Sequence, residues 1–274
     1  MHTDKTQHLR PQQPYLVLHA DTYEHITLEK GGISHFYQFT VKDGDRPDVQ
    51  AVPDGSVDLL FSIGEHDVHV SVGGTVLKVK QWPIDDTRLH FGVRFQPGKC
   101  VLPEGISIQD VVNTDITLDG DCYGVGFAET IAKGRTLHER ALRFLKGYLP
   151  KTGETDCCDA SHVLEQYVRR RIYESKGSVT IRELAQETAY SECYIRRIFG
   201  AVHGISPKSF EKFVRFQNVL HIMKRGGLTL EQTALECGYY DQSHMVKEFK
   251  NFSGVTPERY LNMISNRIPS VATD

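Results

Sequence analysis

The strongest structural signal in this sequence is the segment Ala234-Leu-Glu-Cys-Gly-Tyr-Tyr-Asp-Gln-Ser-His-Met-Val-Lys-Glu-Phe-Lys250, which Gly254-Val-Thr-Pro257 follows. Its apolar and turn residues have counterparts about 50 positions earlier. The pairs at a separation of 50 are Ile195 and Met245, Phe199 and Phe249, Gly204 and Gly254, Ser206 and Thr256, Pro207 and Pro257, and Phe210 and Tyr260. The pairs at a separation of 49 are Ile181 and Leu230, Ala185 and Ala234, Glu187 and Glu236, and Tyr190 and Tyr239. The sequence therefore contains an internal repeat, with one residue inserted in one turn.

Each copy of the repeat carries the start signals of two short helices. Thr180-x-x-Glu183 and Thr229-x-x-Gln232 are capping boxes, in which the hydroxyl and the third-position side chain satisfy two unpaired amide donors. The remaining signals are the candidate N-caps Ser191 and Asp241 of the second helices, and the turn residues Ala189 and Gly238. This pattern predicts two helix-turn-helix motifs, a class in which the second helix enters a DNA major groove.

A single long helix is predicted between the two motifs. Ser206 is its candidate N-cap, Pro207 occupies the first helical position, and Gly226-Gly227 ends it after Arg225. Nineteen residues at 1.5 Å per residue span roughly 28 Å. A rigid spacer of that size holds two recognition helices about one DNA turn apart, or roughly 34 Å. One chain is therefore expected to contact two successive major grooves without dimerising.

From residue 179 to residue 264, the sequence resembles the AraC family of bacterial transcription regulators. The segment 234–250 with Gly254-Val-Thr-Pro257 is close to the signature of that family. Pro53-Asp-Gly-Ser-Val-Asp-Leu-Leu60 and Gly92-Val-Arg-Phe-Gln-Pro-Gly98 look like the N-terminal domain of a subset of these regulators. The resemblance implies a DNA-binding regulator, commonly an activator, whose N-terminal domain binds an effector or dimerises. Its implied partners are double-stranded DNA, RNA polymerase, an unidentified small-molecule effector and a second copy of the chain.

Candidate DNA contacts lie on the outward faces of the two predicted recognition helices. Arg196 and Arg197 are the leading candidates in the first helix, because a guanidinium can bind guanine O6 and N7 together; the alternative is that both are solvated. The resemblance puts Cys193 at a base-contacting position, where a thiol offers only apolar contact with a thymine methyl. The candidates in the second helix are Gln242, Ser243, Lys247 and Lys250, of which the resemblance puts Ser243 and Lys247 at base-contacting positions. Outside both helices, Lys208, Lys212 and Arg259 are expected to add phosphate contacts.

The N-terminal part has the pattern of short strands. Residues 57–63 alternate with a period of two after the turn Pro53-Asp-Gly-Ser56. Further strands are predicted at residues 35–41, 68–72, 76–79 and 89–95, with Gly73-Gly74 as a hairpin turn between two of them. A helix is predicted to follow and to end at Pro150, with an apolar stripe of Leu137, Ala141, Leu142, Leu145 and Tyr148. The expected fold is α+β: a cupin-like sandwich or barrel with flanking helices (residues 1–150), a linker (151–156) and an all-α domain (157–274).

A β-domain of about 100 residues has an interior large enough for one small ligand. The candidate pocket residues are Tyr37, Phe61, Trp82, Arg94 and Phe95. Aromatic and apolar strand residues more often form plain core, which is the alternative for this set. Arg94 is expected either to pair with Asp58 or to bind an anionic effector. The helix 136–149 is expected to pack on its own β-domain rather than on a second protomer.

No pattern in the sequence marks a catalytic or metal site. A nucleophile elbow, a phosphate-binding glycine loop and His-Glu-x-x-His are absent, and the six cysteines include no C-x-x-C pair. We therefore expect no catalytic residues, no metal and no cofactor. Two alternatives stay open: a metal-dependent cupin-like enzyme domain fused to a DNA-binding module, and a regulator controlled by a protein partner without a small ligand.

The charge of the chain is unevenly distributed. The whole sequence of 274 residues has a net charge of −3, from 32 basic and 35 acidic residues. Residues 157–274 carry +3 and the remainder carries −6, an asymmetry that favours nucleic-acid or membrane contact by the basic part. The sequence has no apolar run of membrane length and no secretory signal, so a cytoplasmic location is expected.

Overall fold

The N-terminal half is built on antiparallel strands. The computed structural model describes residues 12–28, 30–41, 49–82, 84, 88–151 and 159–265. The strands are β1 (Thr22–Thr27), β2 (Ile33–Thr40), β3 (Val49–Ala51), β4 (Val57–Ile63), β5 (Val68–Gly73), β6 (Lys80–Trp82), β7 (Leu89–Phe95) and β8 (Asp115–Leu118). Six of them form a sheet in the order β1-β2-β7-β4-β5-β8, and β3 pairs with β6 in a second sheet. The predicted α+β class is confirmed, with the second sheet reduced to two short strands.

Helices cover one face of the six-stranded sheet. The helices of this half are α1 (Pro14–His19), α2 (Ile108–Val111), α3 (Phe127–Ala132) and α4 (Leu137–Tyr148). Side chains alternate along a strand, so Val57, Leu59 and Phe61 of β4 all lie on the helix-covered face, where they are buried. The ring centroid of Phe144 in α4 lies 5.7 Å from that of Phe36 and 6.2 Å from that of Phe61. This aromatic layer fixes the sheet against α4.

The predicted apolar stripe of α4 is partly wrong. Leu142 exposes 67 % of its surface, whereas Phe144 is fully buried. Each residue turns a helix by about 100°, so the face that contains Leu137, Ala141 and Tyr148 continues through position 144 and not through position 142. The stripe packs on the six-stranded sheet of the same chain, as expected.

The strand predicted at residues 76–79 is also wrong, and Gly73-Gly74 does not form a hairpin. The neighbour of β5 on this side is β8, which pairs with it from Gly73 to Val70. After β5 the chain leaves the sheet: the amide of Gly74 donates to the carbonyl of Val111 (3.0 Å), and Val76 is buried in a loop. The apolar residues of this segment do not share one buried face, since Val76 is buried whereas Leu77 exposes 41 % of its surface.

The C-terminal half is helical. Its helices are α5 (Ala160–Glu174), α6 (Ile181–Thr188), α7 (Glu192–His203), α8 (Pro207–Arg225), α9 (Leu230–Glu236), α10 (Gln242–Ser253) and α11 (Pro257–Ser265). The predicted caps are all present. Both capping boxes close, and the side chains of Ser191, Ser206 and Asp241 each accept a hydrogen bond from a first-turn amide. The tight turns use a left-handed backbone, with φ of 58° at Ala189 and 71° at Gly238.

Helix α8 is both the spacer and the core of this half. It has 19 residues and buries eleven of them, including Phe210, Phe213 and Phe216. The core around α8 also takes in Tyr15 and Val52 from the N-terminal half, so the two halves share buried surface. Residues 152–156 of the predicted linker, and the adjacent Cys157 and Cys158, lie outside the described residues. No helix in the described part of the chain is long and apolar enough to cross a membrane.

Candidate nucleic-acid interface and ligand cavity

The first recognition helix, α7, is anchored by one face and exposed on the other. Ile195 and Phe199 are buried beneath it. Cys193, Arg196 and Arg197, the predicted contacts, are all exposed on the outer face. The burial pattern of α7 therefore presents all three to solvent, where a DNA groove could reach them.

The two arginines of α7 have neighbours that orient them. Arg196 Nη2 lies 2.5 Å from Glu192 Oε2, one turn earlier. The guanidinium of Arg197 lies 4.9 Å from the ring centroid of Tyr194, which is cation–π distance. An exposed ion pair is weak and screened by salt, so DNA phosphates can compete with Glu192 for Arg196.

The second recognition helix, α10, has the same construction. Met245 and Phe249 are fully buried. The predicted contacts on its outer face are all exposed, and they are Gln242, Ser243, Lys247 and Lys250. Within the described part of the chain, neither lysine of α10 forms an ion pair, so both charges are available to an anionic partner.

A buried cluster holds α10 on α8. Arg215 of α8 donates from Nε to Glu248 Oε1 (3.3 Å), and the hydroxyl of Tyr239 donates to the same oxygen (2.9 Å). The guanidinium of Arg215 also lies 4.8 Å from the ring centroid of Tyr239. Glu248 is therefore paired inside the protein and adds no negative charge to the outer face of α10.

The three predicted phosphate contacts outside the recognition helices differ in accessibility. The side chain of Lys208 is 63 % exposed, and its Nζ lies 3.0 Å from Glu211 Oε2. Lys212 is half-buried, whereas Arg259 is exposed near the start of α11. Sequence reasoning missed Tyr240, which exposes 89 % of its surface two residues before α10 begins. The adjacent Tyr239 is buried, and nothing in the pair of tyrosines indicated which one faces outward.

The N-terminal half contains a cavity of about 90 Å³ between the two sheets. The cavity is lined by three of the five candidate pocket residues, Tyr37, Trp82 and Arg94. It is not lined by the other two, Phe61 and Phe95. Both are fully buried on the helix-covered face. Neighbouring strand residues point to opposite faces, so Arg94 and Phe95 cannot both line one cavity.

Three charged side chains meet in the wall of the cavity. Arg94 pairs with Asp54 through Nη2 and with Asp58 through Nη1, the latter at 2.9 Å. Asp58 also accepts a hydrogen bond from the Tyr37 hydroxyl (3.2 Å). Burial raises the pKa of the Asp58 carboxyl to about 6, against the opposing effect of Arg94. Burial disfavours the arginine charge as well, but Asp54 and Asp58 outweigh it and raise the pKa of Arg94. Of the two expectations for Arg94, the structure has the pair with Asp58.

Residues 52–56, the 52–56 turn, connect this cavity to α8. Asp54 belongs to the cavity wall and pairs with Arg94. The preceding carbonyl, of Pro53, accepts a hydrogen bond from Gln217 Nε2 of α8 (3.0 Å). The next residue, Gly55, packs directly on the ring of Phe210 in the same helix. The turn is therefore a wall of the cavity on one side and a contact surface for the helical half on the other.

Helix α1 makes a second connection. Gln13 and Leu16 line the cavity, and Gln13 Nε2 donates to Asp54 Oδ2 (2.9 Å). Tyr15 points the other way: its hydroxyl donates to the carbonyl of Ser253 at the end of α10 (2.8 Å), and its ring lies 6.4 Å from that of Tyr260. Gln13, just before α1, and Leu16 thus contact the cavity, while Tyr15 contacts the end of the second recognition helix.

Comparison with known proteins identifies the helical repeat. Residues 184–263 match the helix-turn-helix domain family. An uncharacterised HTH-type transcriptional regulator of Haemophilus influenzae is 33 % identical over 85 residues, which cover 31 % of this chain and 28 % of that protein. YisR of Bacillus subtilis, another uncharacterised HTH-type transcriptional regulator, is 21 % identical over 120 residues, 44 % of this chain and 39 % of its own. The chain thus spans less than half the length of these curated relatives.

Among solved structures, ToxT from Vibrio cholerae covers 89 % of this chain and 99 % of its own length. Its TM-score is 0.42 at 11 % identity. The match of residues 184–263 to the helix-turn-helix family coincides with the repeat found in the sequence. The two predicted motifs are therefore confirmed.

Proposed function

We propose that this protein is a sequence-specific DNA-binding transcription regulator of the AraC type that responds to a small-molecule effector in its N-terminal cavity. The match of residues 184–263 to the helix-turn-helix domain family supports this proposal. One observation carries the DNA-binding part: two recognition helices, each with a buried apolar face and an exposed polar face, are joined by a single rigid helix. The 19 residues of α8 extend about 28 Å, close to one DNA turn of roughly 34 Å. In this proposal α7 and α10 enter successive major grooves of one duplex.

The proposed contacts divide by chemistry. Arg196 and Arg197 suit guanine edges, and Ser243 and Lys247 suit base edges in the second groove. The lysines at positions 208, 212 and 250, with Arg259, suit phosphates, which position a protein without specifying sequence. Tyr240, which is exposed two residues before the start of α10, is a further candidate DNA contact.

Loss of Lys247 is expected to weaken DNA binding selectively. The operator is first selected from random duplexes with the full-length protein, and affinity is then measured by fluorescence anisotropy over a range of salt concentrations. We expect Lys247→Ala to cost about 1–3 kcal/mol and to relax the preference at one base position, as a base contact does; a phosphate contact would instead reduce the salt slope by about one. Lys146→Ala, a matched change on the exposed face of α4, should leave affinity and selection unchanged. Selection of no sequence, or a Lys247→Ala protein that binds like the wild type, would contradict the proposal.

The effector part is supported by the contacts around the cavity. The 52–56 turn and α1 each join a cavity wall to the helical half, through Gln217 and Phe210 in one case and through Ser253 in the other. A ligand that moves Asp54 or Gln13 would therefore change the support of α8 and α10. A ligand shifts an equilibrium between two conformations only if it binds one of them more tightly than the other.

We further propose that the regulator is an activator that contacts RNA polymerase and functions as a homodimer, as the AraC resemblance implies. Transcription from a template carrying the selected operator, with purified polymerase and with or without the protein, tests the sign of regulation. Sedimentation of the protein with and without operator DNA tests the dimer. Among the described residues, no group of three His, Cys, Asp or Glu side chains is placed to hold a metal ion.

A further inference from the structure

The cavity between the two sheets carries an unbalanced negative charge. Among the described residues that line it, the acidic and basic side chains are Asp54, Asp58 and Arg94. One guanidinium therefore faces two carboxylates. Lys80 is the nearby cation of β6, but it lies outside the cavity lining, 4.2 Å from the ring centroid of Trp82, and donates to the carbonyl of Asn113 (2.9 Å). An uncompensated charge away from bulk water is costly unless a partner binds it.

Arg94 is committed to the two carboxylates, and its one nitrogen without a hydrogen-bond partner among the described residues, Nε, is buried. Its two terminal nitrogens bind the carboxylates of Asp54 and Asp58, and its side chain is only 6 % exposed. An anionic ligand would have to displace one of these partners and would then leave a buried carboxylate unpaired. The carboxylates therefore disfavour an anionic ligand at this position.

The excess charge resides on Asp58 and not on Asp54. Asp54 is 2 % exposed, and its two oxygens already accept hydrogen bonds from Arg94, Gln13 and the amide of Ser56. Asp58 is 26 % exposed and accepts one hydrogen bond on each oxygen, from Arg94 and from Tyr37. A carboxylate has about four lone-pair sites, so Asp58 retains acceptor capacity that faces the cavity.

The rest of the lining sets the size and polarity of a ligand. Phe39, Leu60 and Trp82 give the cavity apolar walls, and the cavity opens to solvent. An apolar cavity of about 150 Å³ holds benzene, so the about 90 Å³ here suits a smaller molecule or the end of a longer one. From the charge and the walls together, we propose that the cavity binds a small organic cation with N–H donors, such as a primary ammonium ion, and that Asp58 is its anionic partner. This inference rests on the proposed function, since it names the chemistry of the effector.

Calorimetric titration of the full-length protein at pH 7.5 with n-propylammonium chloride, 1-propanol and sodium propionate tests the charge preference. These probes share a propyl-sized body and differ in charge. We expect the ammonium ion to bind at least tenfold more tightly than the alcohol, and propionate not to bind. Equal or tighter binding of the alcohol or of propionate, or no binding of the ammonium ion, overturns the inference without any variant.

Two further measurements test whether the cation binds to Asp58. Asp58→Asn should reduce the ammonium affinity at least tenfold, whereas Glu65→Gln, which removes the same charge from an exposed turn, should leave it unchanged. Lowering the pH from 7 to 5 should weaken binding to the wild type about tenfold, since the pKa of Asp58 is about 6 and protonation removes the anion. The other titratable groups that face Asp58 are Asp54, Tyr23, Tyr37 and Cys100, beside Arg94; burial raises the pKa values of both tyrosines and the cysteine, so these three stay neutral over this range. Unchanged affinity in Asp58→Asn places the cation elsewhere and overturns the assignment.

The same titration, repeated with operator DNA, separates this inference from the proposed function. If n-propylammonium binds as expected and the DNA affinity does not change, the charge preference stands and the effector response fails. If another small molecule alters the DNA affinity while the ammonium ion binds no more tightly than the alcohol, the proposed effector response is supported and the proposed preference for a cation is overturned.

Discussion

Gly55→Ala is expected to destabilise the protein far more than Gly105→Ala, although both glycines have the same positive φ angle. The φ angle is 83° at each position, and a side chain in this region costs roughly 1–2 kcal/mol. A Cβ on Gly105 meets nothing within 4 Å, whereas a Cβ on Gly55 would lie 2.5 Å from Cε2 of Phe210. Gly105→Ala therefore measures the backbone cost alone, and the difference between the two variants measures the contact between the halves.

Phe210 has little room to move away from such a side chain. It is fully buried, and its ring centroid lies 5.4 Å from that of Phe199 and 5.5 Å from that of Tyr173. Overpacking a core costs about 1–3 kcal/mol, so we expect the free energy of unfolding to fall by that amount beyond the loss in Gly105→Ala. Urea denaturation of the two variants and the wild type measures it. Equal losses in the two variants would mean that the 52–56 turn does not press on α8 in solution.

The helical half could be predicted closely because its signals are local. A cap acts on amides within the next three residues, and Thr180, Thr229 and Asp241 each cap the helix that the sequence assigned to them. The exposed faces of α7 and α10 followed from the 3.6-residue period alone. The pair between Arg196 and Glu192, one turn apart, has the spacing of a common helix ion pair and could have been predicted too.

The ligand cavity and the contacts between the halves depend on distant partners, so the sequence predicted them poorly. The alternation in β4 separates Asp58 from Phe61, but it does not say which face meets helices and which face meets the second sheet. Gln217 lies 164 residues from the carbonyl it binds, and Tyr15 lies 238 residues from Ser253. Polar pairing over such separations leaves no periodic trace. The Pro53-Asp-Gly-Ser56 segment has the residues of a turn and belongs to the family resemblance, but neither property indicates that its glycine is needed for a close approach to α8.

A buried ionic group makes the stability of the helical half sensitive to pH. His203 at the end of α7 is 2 % exposed, and its Nε2 lies 2.8 Å from Glu165 Oε1 of α5. The same oxygen accepts a hydrogen bond from Arg169 Nε (2.8 Å), so Arg169 already balances the carboxylate. Burial lowers the pKa of His203, and the nearby charges of Arg169 and Lys99 act in the same direction, although Glu165 opposes them. His203 is therefore a neutral donor to Glu165 in the folded protein.

Acidification from pH 7 to pH 5 is expected to destabilise the protein through this histidine. An unfolded histidine takes up a proton near pH 6.5, whereas folded His203 takes it up only at lower pH, so the unfolded state binds more protons in this interval. The contribution of His203 to the free energy of unfolding must then fall as the pH falls, by up to about 1.4 kcal/mol per pH unit for one proton. Asp58, whose pKa is raised to about 6, contributes in the opposite direction, but equally in the wild type and in variants of His203. His203→Gln keeps a side-chain N–H donor for Glu165 but cannot be protonated, so its stability should fall less steeply between pH 7 and pH 5. His162→Gln, at an exposed position of α5, controls for the loss of a histidine and should retain the wild-type slope. Parallel stability curves for wild type and His203→Gln, from urea denaturation at each pH, would show that folding leaves the pKa of His203 unchanged; a wild-type curve that falls less steeply than that of His203→Gln would show that the pKa is raised, as Glu165 alone would favour.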